Sequence, residues 1–187
     1  MAVRRILQID NPDDYKILKT NCRTVQLPNP SLRQLIEDMF ETMHEAGGVG
    51  LAAPQVGVLY RIAVIWIPPE TETDKNGVET VVAPEQYYTL INPTIVKSGG
   101  SDMVGKEGCL SLPNWYGDVP RPAWVTVDYQ DAHGRSHRIR RASGLLGRAL
   151  QHEIDHLNGV LFTERIRDLS TLKEHVEENE TNKLATA

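Results

Sequence analysis

Between Ser143 and Gly159 the chain repeats apolar residues at the spacing of a helix that buries one side, yet a glutamate stands inside that side. Taking about 100° per residue, Leu145, Leu146, Ala149, Leu150, Ile154 and Leu157 fill one half of the helical wheel. Gly147, Arg148, Gln151, Asp155 and Asn158 fill the other. Glu153 falls between Ala149 and Leu146, where an unpartnered carboxylate costs several kcal/mol, on the order of a lost buried ion pair. His152 and His156 border the apolar half, four residues apart and about 40° apart around the axis. Whatever fold this chain adopts must bury the helix and give Glu153 a partner. Two imidazoles on one face can hold a metal ion, and a glutamate beside them can move a proton. A satisfied core cluster or a surface salt-bridge patch is the alternative, and a further ligand elsewhere in the chain decides between them.

The rest of the sequence narrows the possibilities. At 187 residues it is read as one domain over 1–187, long enough to bury a real core. The net charge of −5 provides no basic field for a nucleic-acid backbone, so no direct nucleic-acid partner is expected. Apolar runs fall short of a membrane span, and the first residues lack the apolar core and cleavage site of a signal peptide. Cys22 and Cys109 do not make a disulfide framework. The simplest compartment is a reducing cytoplasm, where a thiolate can serve as a metal ligand.

Leu32, Leu35, Ile36, Met39, Phe40 and Met43 predict a helix over 30 to 45, with Asn29 and Pro30 at its start and Gly47-Gly48 at its end. Its methionines read as core. A strand is expected over 61 to 67. A polar excursion follows over 68 to 88, with Asn76-Gly77 as a hairpin turn. Residues 88 to 96 read as a strand in which Pro93 demands an edge or a bulge. Strands over 123 to 130 and 136 to 141 flank a hairpin turn at 131 to 135. The histidine-bearing helix spans about 143 to 158, with Gly159 as its C′ residue. A short strand is expected over 160 to 163. A charged tail over 168 to 187 is expected to be partly helical and frayed at its end.

Cys109 is the candidate third ligand. It follows Gly108, which lets the backbone bring sulfur close to a partner, although a lone cysteine is more often an inert core residue. His44, His133, His137 and His175 read as solvated, and Cys22 as a core thiol. A zinc peptidase that takes Glu174 or Glu177 as its third ligand is a rival reading.

Three segments then converge on one family. Gly48-Val49-Gly50-Leu51-Ala52-Ala53-Pro54-Gln55, Glu107-Gly108-Cys109-Leu110-Ser111 and Gln151-His152-Glu153-Ile154-Asp155-His156 resemble, in order and spacing, the signature motifs of the peptide deformylases. The glycine-rich motif is weak alone, and no Gly-Lys-Ser/Thr follows to make it a phosphate loop. The three together are specific, and the likeness runs from about residue 30 to 166.

The resemblance implies an α+β fold, with mixed, mostly antiparallel sheets around a central metal-binding helix. It implies a metal-dependent hydrolase that removes the formyl group from N-terminal formyl-methionine of nascent polypeptides and releases formate. Cys109, His152 and His156 would hold one divalent ion, Fe(II) by the family's habit, with zinc or nickel accepted. Three protein ligands leave a position for water. One thiolate and two neutral imidazoles leave a net charge of about +1, enough to acidify that water. Glu153 would then shuttle the proton. Gln55 and the backbone N–H of Leu110 would face the oxyanion. Val49 and Gly50 would pair with the peptide backbone, and Val49, Leu145 and Ala149 would line the methionine pocket. Glu107 and Arg121 would form an ion pair behind the ligands.

The chain also departs from the family pattern. The 68–88 excursion is longer than in compact members, and Gly105 and Lys106 stand where many are acidic or apolar. Tyr116 replaces an arginine found in several. Some members dock a basic C-terminal helix on the ribosome. With Glu174, Glu177, Glu178 and Glu180, this tail does not repeat that charge.

Overall fold

The computed structural model describes residues 2–175 except 76 and 78. Strands β1 (Gly50–Ala52), β2 (Ile62–Ile67), β5 (Gln86–Cys109), β6 (Leu112–Gln130) and β7 (Ser136–Ala142) form an antiparallel sheet in the order β1-β2-β5-β6-β7. A short β8 (Lys173–Glu174) joins it along β6. Between β2 and β5 a separate two-stranded ribbon, β3 (Glu70–Thr73) with β4 (Glu79–Ala83), projects into solvent. This is the polar excursion. Gly77 of its turn has a φ of +81°, and Asn76 lies outside the described residues.

Helices cover both faces of β2. Ile62 and Val64 point to helix α2 (Leu32–Glu45), where they meet Leu35, Met39 and Met43. Ala63 and Ile65 point the other way, toward helix α3 (Gly144–Leu157). Side chains alternate along a strand, so a strand covered on both sides must read as the unbroken apolar run Ile62-Ala63-Val64-Ile65. Removing a fully buried methionine such as Met39 from this layer would cost roughly 2–5 kcal/mol.

The sequence placed the main elements well, with several corrections. Helix α2 begins at Leu32 rather than Pro30, because Asn29 turns back instead: its side chain accepts from the Ser31 N–H, and its carbonyl from the Leu32 N–H. A short helix, α1 (Pro12–Leu18), was not anticipated. Asn11 caps it by accepting from the N–H groups of Asp13 and Asp14. β5 and β6 run far beyond the segments expected, down to the tip that carries Cys109. The bulge demanded by Pro93 is present, as a register shift between Ile91 and Thr94.

Residues 160 to 163 are not a strand. Phe162–Arg165 is a 3₁₀ turn, because the Glu164 carboxylate accepts from the Leu161 N–H and closes the chain on itself. The start of the tail is a 3₁₀ turn at Leu169–Thr171 and then β8, not an α-helix. The expected fraying falls on 176–187, outside the described residues.

The wheel of α3 needs the largest correction. Nine of its fourteen residues are buried, including Gln151 and Asp155 from the supposed polar half. β6 covers that half, and Asp155 is accommodated there by the guanidinium groups of Arg121 and Arg165. Leu145, from the apolar half, is 45% exposed at the rim of a cavity.

Candidate metal centre

α3 delivers His152, Glu153 and His156 from one turn of helix. Cys109 arrives from across the sheet as the last residue of β5, before the turn at Leu110-Ser111. Cys109 Sγ lies 3.3 Å from His156 Nε2, which lies 3.2 Å from His152 Nε2. All three ligand atoms lie within 4.8 Å of one another, and among the described residues they are the set that converges this way. A tetrahedral divalent ion bound by sulfur and imidazole nitrogen spaces its ligands about 3.3–3.6 Å apart. The donor set therefore fits such an ion. Of the two glutamates in the peptidase rival, Glu174 lies in β8 opposite Trp115, and Glu177 lies outside the described residues.

The charges fit as well. Burial pushes the Cys109 thiol up, but the two imidazoles beside it pull it down to about 5, so sulfur is a thiolate near neutrality. Burial disfavours a charged His152, yet its contacts with Cys109 and Glu107 raise it to about 10. His152 Nδ1 lies 2.9 Å from Glu107 Oε2. That contact holds a ring proton on Nδ1, which leaves Nε2 as the ligand atom once a metal displaces its proton.

Glu107 is held by four donors. Arg121 donates through Nε (2.6 Å) and Nη2 (2.9 Å), Arg148 through Nη1 (2.7 Å), and His152 is the fourth. Burial alone would raise the Glu107 carboxyl, but His152 and Arg121 hold it far below the usual carboxylate range. Arg121 continues to Asp155 at 2.8 Å, so carboxylates and guanidiniums alternate behind the ligands. Buried ion pairs hold only when their remaining hydrogen-bonding groups are satisfied, as they are here.

Glu153 is different. It is 4% exposed, and its Oε2 has no hydrogen-bond partner. Burial raises its carboxyl, with His152 and His156 acting in the opposite direction. The glycine-rich segment makes room for it: a Cβ on Gly50 would sit 2.3 Å from Glu153 Oε1, and one on Gly48 would sit 2.8 Å from Leu110 Cδ1. Gln55 is buried, with its amide anchored through Oε1 to the Ala52 N–H at 2.9 Å. Its Nε2 reaches Ser111 Oγ at 3.2 Å and Cys109 Sγ at 3.5 Å.

A cavity of about 360 Å³ opens on this group, and Val49, Gly50, Leu145 and Ala149 all line it. Arg148 and Ser111 escaped the sequence reading. Arg148 could have been found, since it lies four residues before His152 on the same helix face. Ser111 stands inside the cysteine motif, but the motif alone assigns it no role. The remaining histidines are exposed, as expected, although three of them also make ring contacts or an ion pair at the surface. His44 packs edge-on against Trp66 and Tyr87, His137 pairs with Asp131 and stacks on Tyr129, and His175 meets Tyr116. His133 is exposed, and Cys22 is buried.

The family model described as polypeptide deformylase matches residues 3–172. The chain belongs to this family. It is 68% identical to the peptide deformylase of Roseiflexus sp. (strain RS-1), over 95% of this chain and 96% of that one. It is 59% identical to that of Chloroflexus aggregans (strain MD-66 / DSM 9485), over 96% of each. Among solved structures, the peptide deformylase of Ehrlichia chaffeensis superposes with a TM-score of 0.74 at 41% identity, covering 91% of each chain. That of Synechococcus elongatus, in complex with actinonin, gives 0.72 at 39% identity, over 87% of this chain and 78% of that one. Membership carries the reaction: the chain is a metal-dependent amide hydrolase that removes the formyl group from nascent peptides. The α+β fold around the metal-binding helix is the family's fold. Among the described residues no helix is long and apolar enough to cross a membrane.

Proposed function

We propose that residues 1–187 work as one cytoplasmic catalytic unit in which Cys109, His152 and His156 hold a single divalent ion, natively Fe(II), with zinc or nickel able to replace it. When bound, the ion makes a water acidic near neutral pH and polarises the formyl oxygen. Glu153 takes the proton from that water and delivers it to the departing amine of methionine. Gln55 Nε2 and the Leu110 N–H donate to the formyl oxygen as negative charge gathers there, each contributing about 2.7–4 kcal/mol if it behaves as a typical oxyanion donor. Val49 and Gly50 pair with the peptide backbone, and Leu145 and Ala149 receive the methionine side chain. Glu107, clamped by Arg121 and Arg148, keeps His152 turned toward the ion. The ribosome stays a candidate partner, but the acidic charge of the tail argues against docking through it.

The observation that carries this reading is Glu153: buried, against the metal-ligand cluster, with one carboxylate oxygen unpartnered. Most buried side-chain polar atoms have a hydrogen-bond partner, so this orphaned oxygen calls for one, and a metal-bound water would supply it. Glu153→Gln tests it. Metal content should stay at one ion per chain while formate release from a formyl-methionyl peptide falls on the order of 10²–10⁴-fold. Turnover within a few-fold of the parent would refute the role.

A further inference from the structure

The wall of the substrate cavity opposite α3 is irregular. Gly108 pairs with Tyr116, whereas Cys109 pairs with Leu112. Pro113, Asn114 and Trp115 therefore bulge out of the β5–β6 ladder, and β5 gives them no support. Asn114 adopts a φ of +66°, a conformation tolerated by asparagine but not stable by default. These bulged residues line the cavity, as does Tyr116. A bulge with a free outer edge would be the loosest part of the sheet.

That edge is covered from the other side. Glu174 pairs with Trp115 and Lys173 with Tyr116, and the His175 N–H donates to the Asn114 carbonyl at 2.7 Å. The His175 ring meets Tyr116 edge-on, with centroids 6.4 Å apart. Just before the strand, Thr171 Oγ1 accepts from the Asp118 N–H, and Leu172 packs with Val119, Phe162 and Ile166. Gly117 is bare because a Cβ there would meet Ile166 Cδ1 at 2.4 Å. In turn Tyr116 lies against Gly108, where a Cβ would sit 2.7 Å from the Tyr116 ring. Contact thus runs from residues 171–175 through the bulge to the backbone beside Cys109.

We propose that the segment Thr171 to His175 is a brace that positions the bulged wall for the peptide residues following methionine, with His175 as its key positioning residue. The proposal rests on the deformylase reading for what enters the cavity. Cys109 is held at the hairpin tip by its pairing with Leu112 and by the Ser111 N–H and Gln55 Nε2 at its sulfur, none of them supplied by residues 171–175, so the brace acts on the peptide's grip rather than on the ion.

The test uses the full-length, metal-loaded protein carrying His175→Pro, which removes both the N–H and the ring. KM for a formyl-methionyl tripeptide should rise about 3- to 10-fold, the worth of one hydrogen bond and its ordering. kcat should stay within about twofold, and kcat/KM for N-formyl-methionine amide, which lacks downstream residues, should be unchanged. His175→Phe keeps the N–H and a ring, and should restore the parent KM. Independently of activity, amide exchange at Asn114 to Gly117 should accelerate about tenfold in His175→Pro, with α3 amides unaffected. An unchanged tripeptide KM, or equal losses on both substrates, would overturn the proposal. So would unaltered exchange in the bulge. Absence of formate release by the parent protein would instead count against the deformylase reading, and the exchange comparison would still decide the brace.

Discussion

Helices α2 and α3 have the same length, fourteen residues, and both carry an amphipathic pattern, but they are buried for different reasons. α2 hides a stripe of leucine, isoleucine and methionine against β1 and β2, and on its other side Arg33 and Glu37 pair across one exposed turn. α3 is enclosed on nearly every side, and its buried set includes Gln151, Glu153, Asp155 and His156. The hydrophobic effect accounts for most of the first helix, whose one buried charge, Asp38, is satisfied by Arg4, Gln34 and the Ala2 N–H. The second is held against a desolvation penalty by partners that come from other elements. The buried charge of α2 is fully paired, whereas α3 buries Glu153 beside the metal ligands with one oxygen unpartnered, and that burial serves chemistry.

The contrast can be broken most sharply at Glu107. Glu107→Ala should leave Arg121 and Arg148 facing each other with their shared anion removed, costing about 3–5 kcal/mol, as breaking a buried pair does. Metal affinity should fall with it, by roughly 10–100-fold, because His152 loses its orienting acceptor. Thermal unfolding and metal analysis on one preparation would check both. Met39→Ala in α2 should cost roughly 2–5 kcal/mol through its cavity and leave metal affinity unchanged. If Met39→Ala released the ion as readily as Glu107→Ala, the division between the two helices would be wrong.

A milder perturbation is pH. Metal must displace the proton that His152 holds up to about 10, so affinity should rise with pH across the neutral range. Below about 5 the Cys109 thiolate also takes a proton, so the loss should steepen there. Zinc titration against a competing chelator at several pH values would show it, and a flat profile would contradict the thiolate–imidazole assignment. The smallest effect is expected at Arg33→Ala. This exposed pair on α2 should leave the unfolding midpoint within experimental scatter.

The two helices also differ in how far they were legible. α2 could be read almost to its ends, since period and apolar content suffice when burial is the cause. On α3 the sequence showed the ligands and the misplaced glutamate but gave the wrong polar half. Asp155 reads as solvent-facing until Arg121 and Arg165 are known to lie beside it, and nothing local brings them there. The same holds for β5 and β6. Their lower halves contain glycines, Lys106 and Asp118 rather than an alternating apolar pattern, because they form a cavity wall rather than a core face. α1, by contrast, announced itself through Asn11-Pro12 and could have been found.

The central claim is that one sulfur and two imidazoles bind one ion and leave a position open. X-ray absorption at the metal edge of the zinc- or iron-loaded protein tests it directly. The account predicts a single sulfur at about 2.3 Å, two imidazole nitrogens at about 2.0–2.1 Å and one light solvent ligand, with the sulfur shell lost in Cys109→Ala. A shell without sulfur, or four protein ligands closing the ion off from water, would contradict it.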